Sequence, residues 1–448
     1  MSDEVPNEVW HEVFCYLPRE ALKAVSLTRS TFLAISRPLL FKNFYFQLGI
    51  RRLGDWSSSR TSAGNEARAL ARLAFWSSND IAPLVHSCTL AYHKGHVNMS
   101  LFGAFFERLP RFTNLRSFHG DDIELTQGRL AVLCGLPALR SLHLRGWRAA
   151  PGQQIIFSSA LLPVAVFHAH RSWQSWTDDS NPNAWLNSLS PDTLRELVVA
   201  TAPLHTTQHF PHVHTLEMRV SPDLSPPFDP QRHRRSDGWP CQEMLPVLEN
   251  YNGVQQILYP FLSRSTLTRI VVHDSHPHDL INALRGVSTC INITSLTMTV
   301  ALHQLPTAAF DTEALKAICM LLPRLTKLSV SVTGNLEAGV PNIQPTHVLN
   351  LLGNTPILPR SLQLLIIVWT FLVFNPVPPD QSPDFECIRA NVTTCCPVLE
   401  LFWLDAVYSL SHWRKIHGEV QEFTGYTETE VNMMRIRVGE WLDPVSDR

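Results

Sequence analysis

The sequence predicts an α/β fold in two parts: three N-terminal helices, then a long, irregular array of strand-and-return repeats. Three observations predict it. A short apolar pattern, L-x-x-L-x-L with apolar substitutes, recurs along most of the chain. Helix-patterned segments closed by proline separate several of its copies. The first forty-odd residues carry a different helical pattern, punctuated by three prolines.

That first block runs from Val5 to Phe44. Proline fits the first turn of a helix and disrupts an interior, so Pro6 opens one segment, Pro18 a second, and Pro38 is expected to stop a third. Val9, Val13 and Leu17 recur four apart and form one stripe, which Leu22 and Val25 continue; Phe32 and Ile35 sit three apart in the third segment. So small a helical block buries too little apolar area to stand alone, so its face must pack on another domain or a partner.

The motifs of this block, taken in order, are Val5-Pro6-Asn7-Glu8-Val9, Phe14-Cys15-Tyr16-Leu17, the Leu22 to Thr28 stretch with Phe32 and Ile35 behind it, and Arg37-Pro38-Leu39-Leu40-Phe41-Lys42. Here the chain resembles the F-box family in its fungal, basidiomycete-type form. It departs from that pattern at Val5, where leucine is usual, and at Arg29, where a small residue or cysteine is common; neither breaks the stripe. The resemblance covers about a tenth of the chain. It implies a three-helix module over residues 1–45 that docks the Skp-type adaptor of a cullin-RING ubiquitin ligase. The adaptor-binding residues it implies are Pro6, Glu8, Val9, Val13, Leu17, Leu22 and Val25. The competing reading is a helical hairpin packed on the chain's own core.

Residues 46–80 read as a linker with a first helical segment, and the repeats occupy 81–410. The copies are Val85/Cys88/Leu90, Leu139/Leu142/Leu144, Leu194/Leu197/Val199, Val213/Leu216/Met218, Leu267/Ile270/Val272, Ile293/Leu296/Met298, Leu325/Leu328/Val330, Leu362/Leu365/Ile367 and Leu399/Phe402/Leu404. Weaker copies lie at Leu115/Phe118 and Val164/Phe167. The gap before Val213 is short and the gap before Leu267 long. Asp311 to Leu322, Gln127 to Leu136 and Phe385 to Cys396 have helical spacing, and each is followed by a proline and a new copy. Leucine-rich repeats have this element, one strand each with a helical or irregular return. Such units cannot bury their apolar faces alone, so the expectation is an irregular leucine-rich-repeat solenoid with its strands on the concave side. An α/β domain without repeats is the alternative.

Composition narrows the function. Charged residues are 17% of the chain and the formal net charge is −2, which does not suggest a nucleic-acid or anionic-membrane partner. The longest apolar run, Leu364 to Phe374 with Thr370 inside it, falls far short of the ~20 residues of a membrane helix. The N-terminus has Asp3 and Glu4 and no apolar signal region, and the nine cysteines contain no CxxC pair. Free thiols in the cytoplasm or nucleus are expected. Two histidine groups, His205/His209/His212/His214 and His273/His276/His278, lack cysteine or carboxylate at fixed spacing, so they read as surface residues rather than metal ligands. There is no P-loop, G-x-S-x-G or G-x-G-x-x-G; no catalytic residue, cofactor or metal is expected. Ser221 to Pro240, which carries Arg232, His233, Arg234 and Arg235, and Asn375 to Pro383 read as loops. Residues 411–448 are expected to form a helical cap. Within them Thr427-x-x-Glu430 resembles a capping box opening a helix from Thr427 to Leu442.

The functional expectation is a non-catalytic, substrate-recruiting ligase subunit, with the alternative of a protein-binding repeat scaffold acting without ubiquitination. Side chains alternate faces along a strand, so the residues between the leucines line one sheet face. These are polar in most copies but apolar in the last two: Leu364, Ile366 and Val368, then Leu401 and Trp403. That patch is the candidate site for the protein target. The competing account is that the segment from Tyr408 onward folds back and covers it.

Overall fold

The computed structural model describes residues 5–47, 62–91, 99–149, 161–171, 186, 188–200, 210–219, 245–273, 275, 277–287, 292–301, 312–335, 352, 357–372, 385–406, 410–416 and 419–425. The protein is mixed α/β with extensive parallel sheet. It has two compact units, Met1–Val213 with Ser221–Pro226 and His214–Val220 with Pro227–Arg448.

In the first unit the N-terminal block forms three helices, α1 (Asn7–Cys15), α2 (Arg19–Ser26) and α3 (Ser30–Phe41). Pro6 and Pro18 occupy the positions just before α1 and α2, where a missing N–H costs nothing. Pro38 departs from expectation: it lies inside α3, which continues to Phe41. The bond its nitrogen cannot donate falls in the last turn, and the residue four before it, Ala34, is exposed, so water can serve that carbonyl. The helices close around Trp10, Phe14 and Phe32; the rings of Phe14 and Phe32 meet edge-on at 5.4 Å, and those of Trp10 and Phe32 at 4.9 Å.

From α3 the chain enters β1 (Asn43–Gln47) directly. Then follow α4 (Ser62–Trp76), β2 (Ser87–Ala91), α5 (Met99–Arg108), β3 (Ser117–Asp121), the short β4 (Glu124–Leu125), α6 (Gln127–Cys134), β5 (Ser141–Ala149), β6 (Val166–Arg171) and β7 (Glu196–Ala200). The strands order β1-β2-β3-β5-β6-β7, each parallel to its neighbours, and β4 pairs with the end of β5. Gly146, at φ +68°, sits at the bulge that carries β5 on to β4. Thr126 caps α6 by accepting the Arg129 N–H. An aromatic stack fills the start of this core: Phe44 lies 4.7 Å from Trp76, and Phe46 5.5 Å from Phe105.

The second unit contains β8 (Thr215–Arg219), β9 (Asn250–Val254), β10 (Arg269–His273), α7 (Pro277–Arg285), β11 (Ser295–Ala301), α8 (Thr312–Leu321), β12 (Lys327–Asn335), β13 (Leu364–Leu372), α9 (Phe385–Cys395), β14 (Leu401–Ala406), β15 (Leu410–Ile416) and β16 (Glu419–Gly425). Strands β8 to β14 are parallel neighbours in sequence order; β15 and β16 then add as an antiparallel hairpin.

Every apolar residue of the eleven copies read in the sequence is buried. The expected helical returns are α6, α8 and α9. Apart from the short β4 and the β15–β16 hairpin, two strands, β1 and β9, lie outside those copies. Phe44 and Phe46 fill the inward positions of β1. In β9 they are Tyr251 and Gly253, where a Cβ on the glycine would stand 2.9 Å from the Tyr251 hydroxyl and 3.0 Å from Met218 Cβ. Ring and glycine replace two leucines, which explains the long gap before Leu267.

The helical cap over 411–448 is corrected for its described part: residues 410–416 and 419–425 are strands. The physical reason is the edge of β14, whose open N–H and C=O groups are satisfied by β15. Thr427 to Leu442, Ser221 to Pro240 and Asn375 to Pro383 lie outside the described residues. No described helix is long and apolar enough to cross a membrane.

Candidate functional site

The three-helix block divides the family-implied contacts into two kinds. Pro6, Glu8, Val9 and Val13 are exposed; Leu17 and Val25 are half-buried; Leu22 is buried. Val5, Val9 and Val13 lie four apart on one face of α1 and its lead-in, all more than 40% exposed. Tyr16 and Leu27, at the C-terminal ends of α1 and α2, are 85% and 86% exposed. Half of the twelve exposed large hydrophobic residues described fall between Val5 and Leu33, so the apolar surface is concentrated here. Phe14, Trp10 and Phe32 form the block's aromatic core, and Leu22 is buried, so it is not an exposed contact.

The candidate target patch is assembled as the alternation implies. Leu364 lies beside Leu401 and Ile366 beside Trp403 across the β13–β14 pair. Leu364, Ile366, Val368 and Leu401 are half-buried, while Trp403 is 4% exposed. Trp403 forms a buried cluster with Leu410, against which Ile366, Val368 and Phe423 pack. Leu410 and Phe423 belong to the hairpin after Tyr408. The competing fold-back account therefore describes the centre of the patch, and Trp403 is not an exposed anchor. Asp405 and His412 are buried beside it. Burial, and then the Arg414 charge, push the His412 imidazole down to about 4.

A feature of the first unit escapes a linear reading. His119, His143 and His168 are register partners on β3, β5 and β6. The first two rings stack at 4.3 Å with a 10° interplanar angle, and the third meets His143 edge-on at 4.1 Å. Nε2 of His119 is 2.8 Å from the Ser117 hydroxyl, Nε2 of His143 is 2.6 Å from Ser141, and Nε2 of His168 is 2.8 Å from Glu196. Burial lowers the His119 pKa; Asp121 opposes this and His168 adds to it. The signal was present as a histidine at the same place in three successive copies, visible only once the copies are superimposed.

The histidine groups noticed in the sequence are dispersed. His212 and His273 are exposed, and His273 bonds Asn252 at 2.7 Å. His214 lies 3.2 Å from Glu249, and His278 lines an open groove between α7 and α8. His205, His209 and His276 lie outside the described residues. Among the described residues no three His, Cys, Asp or Glu side chains are placed to hold a metal. The seven described cysteines are all free thiols. Burial pushes Cys319 and Cys396 up to about 12.

No family model matches the chain, and no curated protein matches it. Among solved structures, the crystal structure of the TLR13–ssRNA13 complex is similar over 71% of this chain and 35% of that one, at 10% identity and a TM-score of 0.30. The chain thus spans about a third of that protein's length.

Proposed function

We propose that this chain is a non-catalytic recruiting subunit of an SCF-type cullin-RING ubiquitin ligase. Its F-box helices dock the Skp-type adaptor and its repeats, a leucine-rich-repeat solenoid, hold a protein target. In this reading the chain works in the cytoplasm or nucleus and contributes proximity, raising the target's effective concentration beside the conjugating enzyme. The observation that carries the reading is the concentration of exposed apolar residues on the three-helix block, Val5, Val9, Val13, Tyr16 and Leu27. An exposed apolar stripe on a block with its own aromatic core is the arrangement a helical partner covers.

Co-expression with a Skp-type adaptor, followed by affinity purification, tests the proposal. Val9→Asp combined with Val13→Asp changes exposed positions only, so folding is retained while adaptor capture is lost. Capture at the wild-type level by that variant would reject the docking face. Adaptor capture with target turnover unaffected by deletion of residues 1–45 would leave the scaffold alternative.

A further inference from the structure

In each repeat the residue just before the strand occupies one fixed place. In the second unit that place holds His214, Glu249, Thr268, Thr294, Thr326, Gln363 and Glu400, with no lysine or arginine, and Thr326 Oγ1 donates to the Thr294 carbonyl at 3.0 Å. In the first unit the same place holds Lys42, His86, Arg116, Arg140 and Arg195, interrupted only by Ala165. The backbone sets them in line. Arg116 N–H donates to the His86 carbonyl, Arg140 N–H to that of Arg116, Ala165 N–H to that of Arg140, and Arg195 N–H to that of Ala165.

The stacking therefore does not require charge at this place, since threonine serves the same backbone ladder. Lys42, Arg116, Arg140 and Arg195 are exposed, and none forms an ion pair with a carboxylate among the described residues. Nearby Glu196 is held by His168. Beside this line run the hydroxyls of Ser87, Ser117 and Ser141, and beyond them the histidine ladder. At a strand spacing of ~4.8 Å the line from Lys42 to Arg195 extends ~24 Å, the length of about seven residues of extended peptide.

We propose that this edge of the first sheet is a docking strip for an extended, acidic segment of a partner protein, bound through its carboxylates. A net charge of −2 over the whole chain disfavours a long, uniformly charged nucleic acid, which would meet repulsion beyond the strip. A single-stranded nucleic acid also needs aromatic platforms for its bases, and among the described strand residues of this unit Tyr45 is the exposed large aromatic. The proposal is independent of adaptor docking by the helices.

The test is fluorescence anisotropy of the full chain with a fluorescein-labelled peptide of alternating Glu and Ser. The expected result is saturable binding that weakens with salt and is absent when Gln replaces Glu. Arg116→Glu with Arg140→Glu weakens it by about tenfold or more. Arg285→Glu with Lys316→Glu, which changes net charge equally on the outer helices of the second unit, leaves it unchanged. Because Arg116, Arg140, Arg285 and Lys316 are all exposed, both variants fold, and circular dichroism checks this. No binding by the wild type, or equal loss in the two double variants, overturns the proposal. Tighter binding of a single-stranded oligonucleotide of the same charge overturns the assignment to a protein partner.

Discussion

Trp403 and His412 are register partners across the antiparallel β14–β15 pair, with ring centroids 5.4 Å apart. Both are almost fully buried, and His412 shares its sheet face with Arg414 and Leu410, and with Asp405 on β14. The site excludes a protonated imidazole because burial strips its hydration and Arg414 repels it.

This gives a pH dependence with a definite sign. The folded pKa of about 4 lies below the ordinary 6.5. The unfolded chain therefore takes up a proton first as pH falls. His412 leaves stability undiminished above about pH 6.5 and lowers it progressively between about 6.5 and 4, by up to a few kcal/mol. Thermal unfolding followed by tryptophan fluorescence should show wild type losing more stability than His412→Gln on acidification from about pH 7 to pH 5. Parallel curves for the two proteins would remove His412 from the acid response.

The same pair fixes what a substitution at the patch does. Trp403→Ala removes a buried ring from contact with Leu410 and should cost about 3–5 kcal/mol in urea unfolding. Leu364→Ser, at a half-buried position nearer the start of the strand, should cost less. If target binding uses this end of the sheet, Leu364→Ser weakens binding at retained stability, whereas loss in Trp403→Ala accompanies loss of fold. An unchanged midpoint for Trp403→Ala would contradict the buried cluster.

How far the sequence reveals the fold depends on which residues mark each strand. Copies built from Leu, Val or Ile, such as Leu325/Leu328/Val330, are legible because burial on one side of a strand demands apolar residues two apart. Leu248, Tyr251 and Gly253 are not legible as a copy, because one ring takes the volume of two side chains. The hairpin from Leu410 is hidden by Ser411 and His412, polar residues that are nevertheless buried. Of the candidate contacts, Val9 and Val13 could be read as a stripe, but that Leu22 on the same stripe is buried depends on how the three helices pack together. The histidine ladder is invisible to local patterning, since its members lie one repeat apart.

Two glycines should respond oppositely to alanine. Gly103 lies within α5 with no atom within 4 Å of a built Cβ, so Gly103→Ala should stabilise by about 0.5–1 kcal/mol through helix propensity. At Gly120 the new methyl would stand 2.7 Å from Ile123 Cδ1, and Ile123 is fully buried with little room to retreat. Gly120→Ala should destabilise by about 1–3 kcal/mol. Denaturation midpoints on the two variants check both signs, and a neutral Gly120→Ala would show that Ile123 can move aside.

Val13 and Phe14 are adjacent on α1 and face opposite environments: Val13 is 45% exposed and Phe14 is 2% exposed against Trp10 and Phe32. Truncating Phe14 to alanine should cost about 3–5 kcal/mol by opening a cavity at the junction of α1 and α3. Val13→Asp should stay within about 0.5 kcal/mol of wild type, because the position is exposed. The adaptor-docking proposal requires the reverse ranking in affinity terms: Val13→Asp abolishes capture with the helices intact, and Phe14→Ala reduces it only in proportion to the unfolded fraction. Limited proteolysis of the N-terminal block beside the pull-down separates the two effects. A Val13→Asp protein that is protease-resistant and still captures the adaptor would place the docking surface elsewhere on the block.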